Sequence, residues 1–442
     1  MSSTRDRTDH TRRTVQEAVA GGRSAADNVR PLLDTLLGND LPVRFEFWDG
    51  SALGPTDSPG VVRLNSVNAV RRILWSPNQL GLGRAYVTGE IDVDGDLFWV
   101  LDALRDAVAP GARFGGKAVP TAFAAAARLR VLGGPPPPPP EEARAGGRRH
   151  SKARDAAAIS HHYDVGNDFY RIVLGPSMTY SCARFAEPDM TLTEAQASKH
   201  DLIGRKLGLG ETPGKRLLDV GCGWGSLAIH AASNYDVEVV GITISKAQVE
   251  LARQRVAAAG LEQQVDIRLQ DYRDVQGETF DAIASVGMFE HVGATRMALY
   301  FERLHNLLTP TGRLLNHAIS SVNNSAMSRR SFIGRYVFPD GELVDVGKVQ
   351  QAMEQVGFEV RDVESLREHY ARTLRHWVAN LDAQWDRAVS LVGMARARIW
   401  RLYMAGSAIG FADGGISVHQ VLGVKSALTG ASGMPETRDG WA

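Results

Sequence analysis

Residues 217 to 225 read Leu-Leu-Asp-Val-Gly-Cys-Gly-Trp-Gly, an apolar strand pattern that ends in a glycine-rich turn just ahead of a helical stretch. Glycines at 221, 223 and 225 permit positive backbone dihedrals and carry no Cβ, so a nucleotide-like ligand can lie against the main chain. The N–H groups of the turn are expected to face that ligand. A dinucleotide site asks for G-x-G-x-x-G with an acidic residue about 20 positions later. The D-x-G-x-G-x-G spacing here has no pyrophosphate to cradle. Taken alone, the turn also fits an ordinary tight strand-to-helix connection.

Around it, strand and helix patterns alternate. Strands are expected at 216–220, 237–242, 265–269, 280–286 and 312–318, and helices at 227–232, 246–258 and 294–307. That alternation predicts a mostly parallel sheet covered on both faces. Its ligand site belongs at the carboxyl ends of the strands, where 221–225, 243–248, 271–272 and 287–291 converge.

Upstream, Pro135 to Pro140 is an unbroken proline run, which is extended and excluded from helices and central strands. It reads as a stiff linker, continued by a polar, basic stretch to residue 154 that suits a solvated tether better than a lipid headgroup site. The expected organisation is a disordered N-terminus (1–20), a small α+β domain (21–134), the linker (135–154), a catalytic domain (155–428) and a flexible C-terminus (429–442). In the small domain, strands are expected at 43–48 and 61–64 and helices at 67–74 and 97–108, with 80–93 read as turns because of Gly81, Gly83 and Gly89. Phe45, Phe47, Trp48, Phe98 and Trp99 suit a core better than an acyl-chain groove.

Lys plus Arg and Asp plus Glu both number 50, so no global field draws nucleic acid or an anionic membrane, and any such contact needs a local patch. The two cysteines, Cys182 and Cys222, form no disulfide framework. No cluster has metal-ligand spacing, so no metal is expected. A reducing cytoplasm fits, and no apolar window reaches the roughly 18 residues of a membrane span.

Further motifs accompany the glycine turn: His161-His162-Tyr163-Asp164-Val165-Gly166-Asn167-Asp168-Phe169-Tyr170, Met178-Thr179-Tyr180-Ser181-Cys182-Ala183, Gly241-Ile242-Thr243-Ile244-Ser245, Asp271-Tyr272-Arg273-Asp274, Met288-Phe289-Glu290-His291-Val292-Gly293 and Tyr336-Val337-Phe338-Pro339-Asp340-Gly341. Together, over about 155–425, they resemble the cyclopropane fatty acid synthase family. That family includes mycolic acid methyltransferases and the fatty acid methyltransferases that make 10-methylene branches. The resemblance implies an α/β fold of the class I S-adenosylmethionine-dependent methyltransferases, Rossmann-like, with the smaller α+β domain in front.

It also implies roles. Tyr180 and Ser181 match the methionyl-binding pair; Asp219, Gly221, Gly223 and Gly225 match the main-chain contact. Thr243, Ser245 and Gln248 match the segment that reaches the ribose, with Gln248 taking the place of the usual carboxylate, and Asp271 and Tyr272 match the adenine pocket. An ST-turn and an exposed helix residue would equally account for Thr243 and Gln248.

The family's acceptor is the cis double bond of an acyl chain, a weak nucleophile that must be held in line with the sulfonium methyl. The carbocation that results must lose a proton. Family members hold bicarbonate as the base, and its binders match Cys182, Glu290, His317, Tyr370 and the main chain at Ile319. Singly, each has a structural alternative: a small buried residue, a helix cap, a core histidine and a core aromatic. Tyr163, Tyr180, Phe185, Tyr336 and Phe338 are candidates for cation stabilisation.

Two departures stand out. Ser407 occupies the place of a frequent family cysteine, which excludes a thiolate there, and Pro339-Asp340-Gly341 replaces Pro-Gly-Gly. The expected partners are an unsaturated phospholipid acyl chain, a peripheral contact with the inner face of the membrane, and a separate reductase if the product is a methylene. No nucleic acid is expected, and homo-oligomerisation is left open. Cyclopropane and methylene products both follow from the same cation, and Ser407, Asn316-His317-Ala318-Ile319-Ser320 and the long N-terminal region lean toward methylene. Rival readings are a methyltransferase for a small soluble acceptor and an inactive lipid-binding protein.

Overall fold

In this computed structural model the described residues are 23–108, 118–142, 165–323, 328, 331–339, 341–439 and 441. The segments at 1–20 and 143–154, His161–Asp164 with Tyr163, and Asp340 lie outside them. The chain divides into two compact units, one from the described parts of Met1–Glu142, Arg330–Phe332 and Met394–Gly406, the other from Ala143–Arg329, Ile333–Gly393 and Ser407–Ala442.

The first unit contains α1 (Ala25–Leu37), β1 (Arg44–Phe47), β2 (Ala52–Leu53), β3 (Gly60–Leu64), α2 (Asn68–Trp75), α3 (Gln79–Val87), β4 (Ile91–Gly95), α4 (Leu97–Ala107) and α5 (Ala118–Arg128). Its sheet runs β2-β1-β3-β4. Alternation puts Phe45, Phe47, Val62 and Leu64 on one buried face, with Trp48 and Trp99 packed against them, so these rings form a core.

The stretch expected to be turns at 80–93 is instead helix α3 followed by β4. Asn78 caps α3 by accepting from the N–H groups of Leu80 and Gly81. The glycines serve close packing: a Cβ on Gly81 would lie 1.9 Å from the Ser76 carbonyl oxygen, and one on Gly83 2.3 Å from the Phe332 ring.

The proline run is strapped to this same unit. Trp75 Nε1 donates to Gly133 O at 2.8 Å, Arg72 Nη1 to Pro137 O at 2.9 Å, and Arg84 forms a two-pronged pair with Glu142. The first unit accordingly extends through residue 142.

The second unit holds α6 (Asn167–Leu174), α7 (Leu192–Lys206), β5 (Lys215–Val220), α8 (Ser226–Asn234), β6 (Val237–Thr243), α9 (Lys246–Ala258), β7 (Val265–Leu269), β8 (Phe280–Val286), α10 (Met297–Leu307), β9 (Leu308–Ser321), α11 (Phe332–Tyr336, entered from the first unit), β10 (Val344–Asp345), α12 (Val346–Gln355), β11 (Phe358–Ser365), α13 (Arg367–Ala383), α14 (Trp385–Val392), α15 (Met394–Ala412, shared with the first unit) and β12 (Ile416–Lys425). The sheet order is β11-β12-β9-β8-β5-β6-β7, with β10 beside β9. Only β12 runs antiparallel to its neighbours, so the sheet is mostly parallel. From β5 the order departs to β6 on one side and β8 on the other, which opens a crevice at their carboxyl ends.

Helix α7 begins with a capping box, Thr191 and Glu194 each satisfying the other's backbone N–H. Its inward face is polar: Gln196, Lys199 and His200 are buried beside Ile203. That is why apolar periodicity does not reveal it. The expected flexible end also differs, since Trp441 is buried in the second unit's core and Arg313 donates to Gly433 O at 2.8 Å.

At the end of α7, Lys206 is 2% exposed and pairs with Asp362 at 2.9 Å and with Glu364. Without Lys206 the buried Asp362 would keep only Arg438, at 3.3 Å and itself exposed, so its charge would be poorly compensated. Lys206→Met should therefore lower unfolding free energy by about 3 kcal/mol, read by urea denaturation, and Asp362→Asn in the same chain should recover part of the loss.

Candidate active site

The glycine turn takes positive φ at Gly221 (79°), Gly223 (55°) and Gly225 (77°), a region that disfavours side chains. A Cβ on Gly221 would stand 2.9 Å from Met288. The N–H groups of Gly221 and Cys222 do not face a ligand as expected: both donate to Ile242 O, at 2.9 and 3.0 Å. They tie β5 to β6 and so hold the turn against the neighbouring strand.

All the sequence-predicted cofactor residues except Gly225 and Ser245 line one cleft at the carboxyl ends of β5 to β8, joined by Lys199, His200, Trp224, Met288 and His291. With its open mouth the cleft encloses about 1170 Å³. Gly225 and Ser245 sit just behind it as the N-caps of α8 and α9. Thr243 Oγ1 donates to Gln248 Oε1 at 2.7 Å and accepts from Ser245 N, so the ST-turn and the cleft position coexist. Asp271 is held by Arg273 at 2.6 Å.

One end of the cleft is charged. Lys199 Nζ donates to Ser181 Oγ at 3.0 Å, and Gln196 Nε2 to Ser181 O at 2.9 Å. Burial pulls the Lys199 amine down to about 7 and pushes the Asp219 carboxyl up to about 7. Trp224 Nε1 bonds Asn167 Oδ1 at 2.8 Å, and its ring packs on Tyr170, which meets Tyr180 and in turn Trp377.

None of the five predicted catalytic residues lines this cleft, yet the sheet gathers them beside it. Val286 pairs with His317 across β8 and β9, and Gly287 N donates to His317 O at 2.9 Å. Glu290 follows in a 3-10 turn between the cleft residues Met288 and His291, and its Oε1 accepts from Ile319 N at 2.7 Å. On the other side, β12 sets Gln420 opposite His317 and Val418 opposite Ile319. Val418 O accepts from Leu366 N, and Leu366 O accepts from both Tyr370 N and the Cys182 thiol. Strand pairing and these bonds thus bring all five into one neighbourhood.

Two side-chain atoms in this group, Glu290 Oε2 and His317 Nε2, are buried with no partner among the described residues. Burial pushes Glu290 up to about 7 and His317 well below its usual value, so the imidazole is neutral. Gln420 Nε2 lies 3.2 Å from His317 Nδ1. Burial also raises the Cys182 thiol, which stays protonated. Tyr370 packs on Phe411 at 4.6 Å and edge-on to Trp377 at 6.0 Å. Phe185 stacks on His376, and Arg372 covers its ring at 4.0 Å. That face already holds a cation.

Sequence reasoning missed Lys199, His200 and Gln420. The Thr191-x-x-Glu194 spacing was a signal for the helix that carries the first two. For Gln420, the signal is an amide inside an otherwise apolar central strand.

A mostly parallel sheet whose carboxyl edge carries this glycine turn and cleft defines a class I S-adenosylmethionine-dependent methyltransferase. Residues 150–421 match the family model described as mycolic acid cyclopropane synthetase, and the chain belongs to that family. It is 43% identical over 407 residues to a probable fatty acid methyltransferase of Pseudomonas putida, covering 90% of this chain and 96% of that one. It is 33% identical over 392 residues to the tuberculostearic acid methyltransferase UfaA1 of Mycobacterium tuberculosis, covering 86% and 87%. The crystal structure of mycolic acid cyclopropane synthase CmaA1 with SAH and CTAB matches with TM-score 0.57 and 38% identity over 61% of this chain and 97% of that one. The chain is a cyclopropane fatty acid synthase-like methyltransferase with S-adenosylmethionine as donor.

Glu290 has a thermodynamic signature. Its folded pKa rises from 4.5 to about 7, so the folded state binds the proton more tightly than the unfolded chain. The ionised form therefore costs stability progressively as pH rises from 4.5 to about 7. Glu290→Gln should be more stable than the parent at pH 8, with a gain that shrinks toward pH 5, in urea unfolding at both values.

Proposed function

We propose that the chain transfers the sulfonium methyl of S-adenosylmethionine to a cis double bond of an unsaturated acyl chain in a membrane phospholipid. Loss of a proton from the added methyl with ring closure then gives a cyclopropane fatty acid, whereas a hydride shift onto the cationic carbon followed by loss of that proton gives the 10-methylene product. The observation that carries this reading is the pair of buried atoms Glu290 Oε2 and His317 Nε2, which have no partner among the described residues and lie next to the donor cleft. Their chemistry fits a small oxyanion held by Cys182, Glu290, His317, Ile319 and Tyr370. A bicarbonate bound by them would supply the base for proton loss without exposing a side-chain carboxylate to alkylation.

The chain's own groups suit that task. With Gln420 Nε2 as donor to Nδ1, His317 carries its proton on Nε2 and can donate it without adding charge. Glu290, protonated up to about pH 7, offers an O–H from Oε2 while Oε1 keeps the Ile319 N–H. The Cys182 thiol, neutral and within reach of the Ala183 and Leu366 carbonyl oxygens, does not compete with the alkene for the methyl group. Among the rings, Tyr180, Trp377 and Tyr370 form a continuous aromatic wall suited to a passing cation.

For the donor, Tyr180, Ser181, Asp219 and the glycine turn would hold the methionyl end. Gln248 would turn its amide to the ribose, its Oε1 being engaged by Thr243, and Asp271 and Tyr272 would bound the adenine. Gly225 and Ser245 act only by fixing the helices behind them.

The methylene product is favoured because the fatty acid methyltransferase relatives span about 90% of this chain, whereas cyclopropane mycolic acid synthase 1 spans 60%. Among the described residues no helix is long and apolar enough to cross a membrane. Exposed Trp75, Phe123 and Leu132 on the first unit support a peripheral contact with the cytoplasmic membrane face.

His317→Ala should lower turnover on unsaturated phospholipid by roughly 100-fold or more while leaving donor affinity nearly unchanged. Equal loss of donor binding would sink that division of roles. Fatty acids from a host expressing the chain, analysed by mass spectrometry after double-bond derivatisation with and without a reductase, should contain the methylene product. Turnover on soluble acceptors with none on lipid would replace this reading.

A further inference from the structure

Segment 182–190 packs on helix α13, where Ala183 N donates to Thr373 Oγ1 at 3.0 Å and Phe185 N to His369 Nδ1 at 3.2 Å. Cys182 and Tyr370 are the buried members of this contact. Arg184, His369, Arg372 and His376, only half-buried, gather around the ring of Phe185. The Arg372 guanidinium carbon stands 4.0 Å from its centroid, and the rings of His376 and His369 lie nearly parallel to it at 5.4 and 6.4 Å.

The charge there is unmatched. Among the described residues neither arginine forms an ion pair: Arg184 Nη1 donates to Ser198 Oγ at 3.2 Å, and Arg372 Nη2 to the carbonyl oxygens of Pro188 and Met190. Glu364 pairs with Lys206 and Glu368 with Arg367, while the exposed Glu187 and Asp189 make no pair with either arginine. Because His369 Nδ1 accepts the Phe185 N–H, its proton sits on Nε2, and His376 has no hydrogen bond among the described residues. Burial, then the neighbouring arginines, lowers both imidazoles, which leaves them neutral donors. Two guanidinium charges without a counter-ion, flanked by imidazole N–H groups, have the composition of an oxyanion site.

We propose that Arg184, His369, Arg372 and His376 bind the phosphate diester of the phospholipid whose acyl chain is the acceptor. An amphiphile with its double bond beside Cys182 and Tyr370 must keep its charged end at the surface. These cations stand on the same two segments, Arg184 two residues from Cys182, and His369 and Arg372 one and two from Tyr370. Phe185 also clusters with Ala183, Ala195, Met190 and Leu192, apolar cover suited to the first methylenes of the chain. The inference rests on the lipid acceptor proposed above.

Monomeric dihexanoylphosphatidylglycerol and dihexanoylglycerol differ only in the phosphate-bearing head, and neither needs a membrane. By isothermal titration calorimetry on the full chain, the parent should bind the phospholipid roughly tenfold or more tighter, the scale of a charge-assisted hydrogen bond. Arg184→Gln and Arg372→Gln should each lose most of that preference and less than about twofold of the affinity for dihexanoylglycerol. Arg128→Gln, on the first unit, should change neither. Equal affinity of the parent for the two lipids overturns the proposal and needs no variant to fold. So does equal loss of both ligands in Arg372→Gln, expected of an arginine that only staples the carbonyls of 188 and 190. Tighter binding of hexanoyl phosphopantetheine overturns it too, since the site would then serve a carrier-bound chain. Turnover of dioleoylphosphatidylglycerol by the parent tests the acceptor separately: its absence sinks that reading, whereas turnover with equal binding sinks only this one.

Discussion

Strand β9 is held between β8 on one side and β12 on the other, one parallel and one antiparallel, and the register of both pairings is what builds the site. Because side chains alternate across a strand, a slip of one residue would turn His317 and Ile319 to the wrong face and part them from Glu290. Parallel pairing with β8 sets His317 beside the turn that bears Glu290; antiparallel pairing with β12 brings Gln420 to His317 and, through Val418 and Leu366, reaches Cys182 and Tyr370. Residues scattered from 182 to 420 in sequence meet because one central strand has two partners.

Burial then gives those residues their chemistry. The same loss of water that keeps His317 neutral and the Cys182 thiol protonated lifts Glu290 and Asp219 toward neutrality. A cluster of ionisable groups is shifted toward hydrogen-bond donors, which suits the proposed reaction, in which a cation would form beside them without being captured by the protein. Freely ionised carboxylates and thiolates in the same places would be nucleophiles.

Much of the nucleotide-binding half was legible in the sequence, since β5 to β8 carry apolar or alternating runs that give way to glycine or polar residues, and the expected limits at 265–269, 280–286 and 246–258 agree with the structure. Two helices were less so. Helix α7 hides because it buries Gln196, Lys199 and His200 where a pattern search asks for leucine. Helix α3 hides behind glycines that are there for close packing. The five residues proposed as catalytic were recognisable only by resemblance, because pairing distant strands leaves no local mark on a sequence.

Helix α15 has a consequence for how such a chain can have been assembled. Its residues 394–406 cluster with the N-terminal unit, where Arg398 bonds Tyr86 O and Asp92, while its last turns belong to the catalytic unit. A chain that lacked the residues up to 142 would leave the 394–406 stretch of α15 without the neighbours it clusters with, so the front of the protein is not a module bounded by a single point in the sequence.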